Sequence, residues 1–180
     1  MVRVFGIVNV TRDSFSDGGR FLTPENAVAH AQRLLDEGAD VIDIGAESTH
    51  PDSEQVSERE EIDRLTPVVS QLRRRGCALS VDTCKPAVMA RMIDLGVDYI
   101  NDVRGFRTPG AVEAVRDAAA RLIVMHSRSS EARAQRTYVD PSAIVDEVRD
   151  FFRRRLAELT AAGVARERLI LDPGMGFFLG

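Results

Sequence analysis

The sequence predicts an α/β protein of repeated strand–helix units, on three observations. Six short apolar runs rich in Val, Ile or Leu recur along the chain. Most are continuous rather than alternating, the pattern of strands buried on both faces of a parallel sheet. Between them lie stretches with helix start and stop signals. A weak internal echo adds to this. Gly38-Ala-Asp-Val-Ile-Asp43 and Gly96-Val-Asp-Tyr-Ile-Asn101 resemble each other, and each sits at a helix-to-strand junction.

The first strand is predicted over Val4–Val8. Thr23-Pro24 then opens a helix with Pro at its first position, Val28, Ala31 and Leu35 line one face, and Gly38 ends it. Val41–Ile44 is the second strand. Ser57 and Glu60 form a capping box, in which each side chain can bond the other's backbone N–H. The helix they open carries Ile62, Leu65, Val69 and Leu72 on one stripe and ends at Gly76. Pro67 inside it is expected to kink or shorten it. Leu79–Val81 is the third strand, and Pro86 to Gly96 repeats the Pro-in, Gly-out pattern. The fourth strand centres on Tyr99 and Ile100; the helix after Pro109 is poorly delimited. Leu122–Met125 is the fifth strand. A long helix lies between Pro141 and Gly163, and its Arg149, Arg153, Arg154 and Arg155 read as a solvated face. Leu169–Leu171 is the sixth strand.

Six strands and about five helices fall short of a closed (β/α)₈ barrel, which needs eight of each and about 250 residues. The pattern alone leaves two arrangements: a barrel with about six of its eight units present, or an open doubly wound sheet.

No linker or low-complexity segment divides the 180 residues, so one domain over 1–180 is expected. The chain is 44% hydrophobic and 29% charged, enough for a sizeable core. A net charge of −4 argues against a nucleic-acid partner, which is bound through clustered Lys and Arg. No apolar run approaches the roughly 20 residues of a membrane span, and the N-terminus is too quickly polar for a signal peptide. No membrane partner and a cytoplasmic location are expected. Cys77 and Cys84 are not in a metal-binding spacing and read as free thiols of a reducing compartment.

The informative feature is where polar residues fall. Nearly every predicted strand ends in one: Asn9, Asp43, Asp82, Asn101 with Asp102, His126 and Asp172. In a (β/α)₈ barrel these ends share the face on which active sites are built. Taken singly, each could simply cap a helix or start a turn. Carboxylates and amides without an accompanying Ser, Cys or Lys nucleophile suit recognition of a polar heterocycle. A carboxylate accepts from an exocyclic NH₂ and a ring N–H side by side, and an amide offers donor and acceptor together. Pterins and guanines present such edges. His126 is either a base or a positional residue. The loops Thr11–Gly19 and Ala46–Pro51 follow the first two strands; the first is polar and Gly-ended, and the second offers hydroxyl and imidazole groups to an anion.

The segments GIVNVTRDSFSDGG (6–19), IDIGAESTHP (42–51), SVDTCKP (80–86), INDVRGF (100–106), VMHS (124–127) and LILDPGMGF (169–177) together resemble the dihydropteroate synthase family, in order along essentially the whole chain. Three of them, INDVRGF, VMHS and the run from Asp172 to Leu179, look closest to its sulfonamide-resistance branch. The resemblance implies a (β/α)₈ barrel that binds a pterin. Asp82, Asn101 and Asp172 resemble the residues that hold the pterin edge, and Met125 resembles an apolar wall of its slot. Thr49 resembles a second-loop residue at the diphosphate and 4-aminobenzoate, and Asn9 resembles the ligand of a Mg²⁺ that sits with the diphosphate. The implied reaction joins 4-aminobenzoate to a dihydropterin methyl diphosphate. No residue is singled out as catalytic.

Arg12 stands where the family usually has Pro, and His50 where it usually has Arg. The chain reads Phe-Phe-Leu-Gly after the sixth strand rather than Phe-Gly-Lys. The family's last two strands, with a Lys of an S-R-K segment and a later Arg and His, have no counterpart in these residues. The sequence is therefore expected to be C-terminally truncated and inactive as it stands. The other readings are a pterin-binding fragment without turnover and the pterin-binding domain of a methyltetrahydrofolate methyltransferase. The NVTRDSFSDGG loop, which the methyltransferases lack, favours a synthase. An oligomeric state is not implied.

Overall fold

The structure is a computed structural model that describes residues 2–11, 23–47, 55–127 and 142–175. Its six strands are β1 (Phe5–Asn9), β2 (Val41–Gly45), β3 (Leu79–Asp82), β4 (Tyr99–Asp102), β5 (Arg121–Met125) and β6 (Leu169–Asp172). The helices between them are α1 (Pro24–Asp36), α2 (Glu58–Arg74), α3 (Pro86–Asp94), α4 (Ala111–Val115) and α5 (Ile144–Ala161). Every neighbouring pair of strands is parallel, and the spatial order is the chain order, β1 to β6.

That order decides between the two arrangements. A doubly wound sheet reverses its strand order at a switch point and takes helices on both faces. Here the order never reverses and one face takes all the helices. Val8, Ile42, Ile44, Leu79, Val81, Ile100, Leu122 and Val124 pack with residues of all five helices in a single core. The fold is an arc of a (β/α)₈ barrel, six units long. The opposite, concave face has its own small cluster, Val41, Tyr99 and Ile123 with Phe5, Ala78 and Ile170, in which Phe5 meets Tyr99 edge-on at 5.3 Å.

The helix signals act as read. Thr23 caps α1 by accepting from the Asn26 N–H, and Gly38 leaves it at φ +108°, a left-handed turn with little penalty only for glycine. Ser57 accepts from the Glu60 N–H, but the Glu60 carboxylate turns to Arg64 instead of completing the capping box. The helix α2 runs continuously through Pro67, which does not shorten it. The carbonyl deprived of its donor belongs to Asp63, an exposed residue whose backbone water can reach.

The reading of the α5 arginines needs one correction. Arg155 is buried, not solvated. It donates to the carbonyls of Gly105 at 2.6 Å and Phe106 at 2.5 Å, and pairs with Glu158 at 2.7 Å. Its place in the buried set Phe152, Arg155, Leu159 is the helical spacing that puts it on the core side.

Candidate functional site

The strand register builds the site. Asn9, Gly45, Asp82 and Asn101 stand in one row across β1 to β4, at the C-terminal ends of the strands. Met125 and Asp172 are paired at the corresponding ends of β5 and β6. Side chains alternate along a strand, so this row shares the concave face with Tyr99 and Ile123, two residues below. The ladder continues past the strands: Val10 donates to the Gly45 carbonyl at 2.8 Å, Thr83 to Asn101 at 3.0 Å, and His126 to Asp172 at 2.8 Å. These bonds keep the polar rim in register.

Gly45 opens a gap in the row. A Cβ there would lie 3.6 Å from Asn9 Oδ1 and 4.0 Å from Asp82 Oδ2. Two acceptor oxygens therefore flank a space that any other residue would fill. Below it, Asn101 donates from Nδ2 to Asp43 Oδ2 at 3.1 Å, and its own Oδ1 is buried with no hydrogen bond in the structure. Asp82 is held well above the ordinary carboxylate range, first by burial and then by the charges of Asp43, Asp102, Glu61 and Glu47. Burial also raises Asp43, with the side chains of Ser80 and Asn101 pulling the other way. Among the described residues, this row is short of hydrogen-bond donors. A ligand edge carrying N–H groups would supply them and stabilise the carboxylates.

Two of the polar strand ends do not join this face. Asp102 is fully buried on the helix side, where Oδ1 accepts from the Arg104 N–H and Oδ2 from the Phe106 N–H, both at 2.8 Å. It shapes a turn in which Gly105 and Phe106 both take positive φ, 62° and 61°. Burial pushes its carboxyl up to about 6, against the pull of those two N–H groups. His126 is buried against α5, edge-on to Phe151 and 3.7 Å from Glu147. Its ring therefore lies on the helix side, off the concave face. Asp172 does both jobs: it stands in the site and its Oδ1 accepts from the Gly174 N–H at 2.9 Å. Thr49, Arg12 and His50 lie outside the described residues.

Sequence reasoning missed a charged cluster beside the site. Lys85 Nζ donates to Glu61 at 2.5 Å and to Glu47, bridging α2, the segment after β2 and the turn after β3. Glu61 is only 1% exposed. A signal was present: Glu61, Leu65, Val68 and Leu72 share a helical stripe, and a charge on a buried stripe needs a partner.

A sequential parallel barrel arc with a carboxylate–amide row at its strand ends is the architecture of a ligand-binding barrel enzyme. The model of the pterin binding enzyme family matches residues 5–180. The chain is 47% identical to the type-3 dihydropteroate synthase of Escherichia coli, over all of this chain and 68% of that one. A solved dihydropteroate synthase of Xanthomonas albilineans with 4-aminobenzoic acid superposes with a TM-score of 0.87 at 45% identity, covering 99% of this chain and 63% of that one. The Burkholderia cenocepacia enzyme complexed with 7,8-dihydropteroate gives 0.83 at 41% identity, over 97% and 59%. The chain thus spans roughly two thirds of the relatives it matches. It belongs to the pterin-binding enzyme family.

Proposed function

We propose that residues 1–180 are the pterin-binding domain of a dihydropteroate synthase. The observation that carries this is the donor-poor row at the strand ends, set beside the two thirds of a synthase that the chain matches. In the reaction, the amine of 4-aminobenzoate attacks the methylene of a dihydropterin methyl diphosphate. The carbon–oxygen bond to diphosphate breaks, and the amine loses a proton. Asp82, Asn101 and Asp172 accept from the N–H groups of the pterin edge. Met125 gives the ring an apolar wall. Thr49 is assigned to the diphosphate and 4-aminobenzoate side.

The donor set fits Mg²⁺. Asn9 Oδ1 is a hard, neutral oxygen at the rim of the Gly45 gap, and Mg²⁺ takes few protein ligands together with phosphate oxygens and water. When bound, Mg²⁺ would offset negative charge on the departing diphosphate. Asn9 would hold it and Asp82 would remain with the pterin. The half-buried free thiols Cys77 and Cys84 suit the cytoplasm, the location that goes with this reading. Insensitivity to sulfonamides is part of the proposal through the Asp172–Leu179 run, of which residues 176–179 lie outside the described residues.

The test is binding and turnover. Asp82→Ala or Asp172→Ala, in the protein at its full coding length, should weaken pterin binding by roughly 2–4 kcal/mol by calorimetry, since each leaves a buried donor unpaired. Unchanged affinity would remove that residue from the site. The polypeptide of residues 1–180 alone should bind pterin but fail to complement a strain lacking its own synthase. The cations that the resemblance assigns to later strands are not in it, and each is worth on the order of 10²–10³ in rate. A version extended through two further strand–helix units should restore growth. Growth on residues 1–180 alone would overturn the assignment of those roles to later strands.

A further inference from the structure

The N-terminal ends of β4 and β5 border a second cavity, at the opposite end of the strands from the ligand row. Its volume is about 470 Å³, inside the roughly 300–1,000 Å³ of small-molecule sites. Among the described residues, the guanidinium groups of Arg3, Arg73 and Arg121 line it with one carboxylate, Asp98. The chain as a whole carries −4, so the cavity reverses the protein's overall sign.

Each arginine is brought there by a different element. Arg3 precedes β1 and donates to the hydroxyl of Tyr99, the first residue of β4. Arg121 opens β5 in register with Tyr99, and its Cζ lies 6.0 Å from the centre of the Tyr99 ring. Two cations thus converge on one buried aromatic ring, whose face attracts positive charge. Arg73, in the last turn of α2, reaches Asp98 Oδ2 at 3.3 Å. Gly96 leaves that guanidinium its space, since a Cβ there would stand 3.4 Å from Arg73 Nε. Asp98 does not neutralise the cavity. Its Oδ2 also accepts from the Leu79 N–H at 2.9 Å, and no carboxylate pairs with Arg3 or Arg121 among the described residues. Ile93, Val97 and Ala120 supply an apolar wall.

We infer that this cavity binds a small organic phosphate, its phosphate held by Arg3, Arg73 and Arg121 and its body laid on the apolar wall. Guanidinium forks match phosphate oxygens, and a phosphate monoester carries close to two negative charges at neutral pH. That charge meets the cavity's excess of two positive charges. A bare oxyanion would leave the apolar wall and most of the volume unused. None of these groups belongs to the strand-end row, so this site and the synthase reading stand or fall separately.

The probe is adenosine monophosphate, titrated by calorimetry into the protein at its full coding length without Mg²⁺. It should bind saturably with a Kd below about 1 mM, and adenosine should not. Inorganic phosphate should bind at least about tenfold more weakly, because it leaves the wall in water. Arg121→Gln should weaken binding of the nucleotide about tenfold, the scale of one charge-assisted contact. Arg121 is exposed, so the urea midpoint of that variant should stay native. Asp98→Asn keeps an acceptor for the Leu79 N–H and removes the cavity's one negative charge. Binding should then tighten about threefold or more, where a merely structural role for Asp98 would weaken it. If Asp98→Asn does not fold, Arg73→Gln replaces it, with a loss of about tenfold expected. No saturable binding of the nucleotide would overturn the inference. So would native affinity in Arg121→Gln or in Arg73→Gln, or weakened binding in a folded Asp98→Asn protein. Inorganic phosphate binding as tightly as the nucleotide would overturn the assignment of an organic ligand.

Discussion

Asn101 reaches across β3 to Asp43, donating its amide N–H at 3.1 Å although their strands β4 and β2 are not neighbours. Ser80, the β3 residue in register with Asp43, is small enough to let the bond pass. Asp43 accepts in this bond, which gives the direction in which the amide faces. Nδ2 is committed to Asp43 and Oδ1 is left as an acceptor for a ligand. Asp43→Asn would make the partner both donor and acceptor and free the amide to turn. Pterin affinity should fall by about 1–2 kcal/mol while the unfolding midpoint stays near native. Calorimetry against a pterin checks it. Native affinity in Asp43→Asn would mean that the orientation of Asn101 is set elsewhere.

The gap at Gly45 leads to a second expectation. A methyl group there would make ordinary contacts, 3.6 Å from Asn9 Oδ1 and 3.8 Å from Asp82 Cβ, so the fold should tolerate Gly45→Ala with a stability change under about 1 kcal/mol. The space between the two oxygens would be lost. Mg²⁺-dependent diphosphate binding should weaken at least about tenfold, the scale of one charge-assisted contact. If Gly45→Ala bound diphosphate and Mg²⁺ normally, the gap would not be where Asn9 meets the metal.

All six strands were legible in the sequence because buried parallel strands write continuous apolar runs, and Val41–Gly45 and Leu79–Asp82 differ from their predicted ends by one residue. Strand order was not legible, since apolar runs do not say which neighbour each strand takes; the register supplied it. The strand-end rule marked Asn9, Asp82, Asn101 and Asp172, which share the concave face, but did not tell them from Asp102 and His126, which lie on the helix side. Side chains alternate faces, and one residue of phase turns a polar group from the ligand to the helices. Lys85 and Arg155 were missed for a common reason. A composition-level reading takes a Lys or Arg on a helix or at its cap as solvated. Their burial depends on partners, Glu61 and the Gly105–Phe106 carbonyls, that are distant in sequence.

Arg155 therefore has a measurable structural task. Its guanidinium satisfies two carbonyls in a buried turn where Phe106 is held at φ 61°, an unfavourable conformation for a bulky residue. Arg155→Met keeps much of the side-chain volume but leaves both carbonyls without their donor. Loss of two buried hydrogen bonds to a charged group should lower stability by roughly 2–4 kcal/mol in urea titration. The turn also lies under the end of β5, where a Cβ at Gly105 would come within 3.0 Å of the Met125 carbonyl. Pterin binding should weaken alongside, since Met125 is the residue proposed as the slot's apolar wall. A variant within about 0.5 kcal/mol of native stability would show that water replaces the guanidinium.

The same turn predicts a pH dependence through Asp102. Its carboxyl is raised to about 6 in the folded protein, from the usual 3.8, with burial as the main cause. The folded state thus holds that proton more tightly than the unfolded chain. The stabilisation is complete below about pH 4 and is lost as pH climbs through about 6, the reverse of a salt-bridged carboxylate. Asp43 and Asp82, also raised, push in the same direction. The contribution of Asp102 alone is on the order of 3 kcal/mol across that window. Asp102→Asn isolates it. The amide cannot titrate, and it keeps one acceptor for Arg104 or Phe106 while setting an N–H against the other. The variant should be less stable than the native protein at every pH, but its urea midpoint should fall less between pH 4.5 and 7.5. Comparing the two proteins cancels the other carboxylates, which both share. Parallel midpoint curves would mean that Asp102 is ionised throughout, its charge fully met by the Arg104 and Phe106 N–H groups.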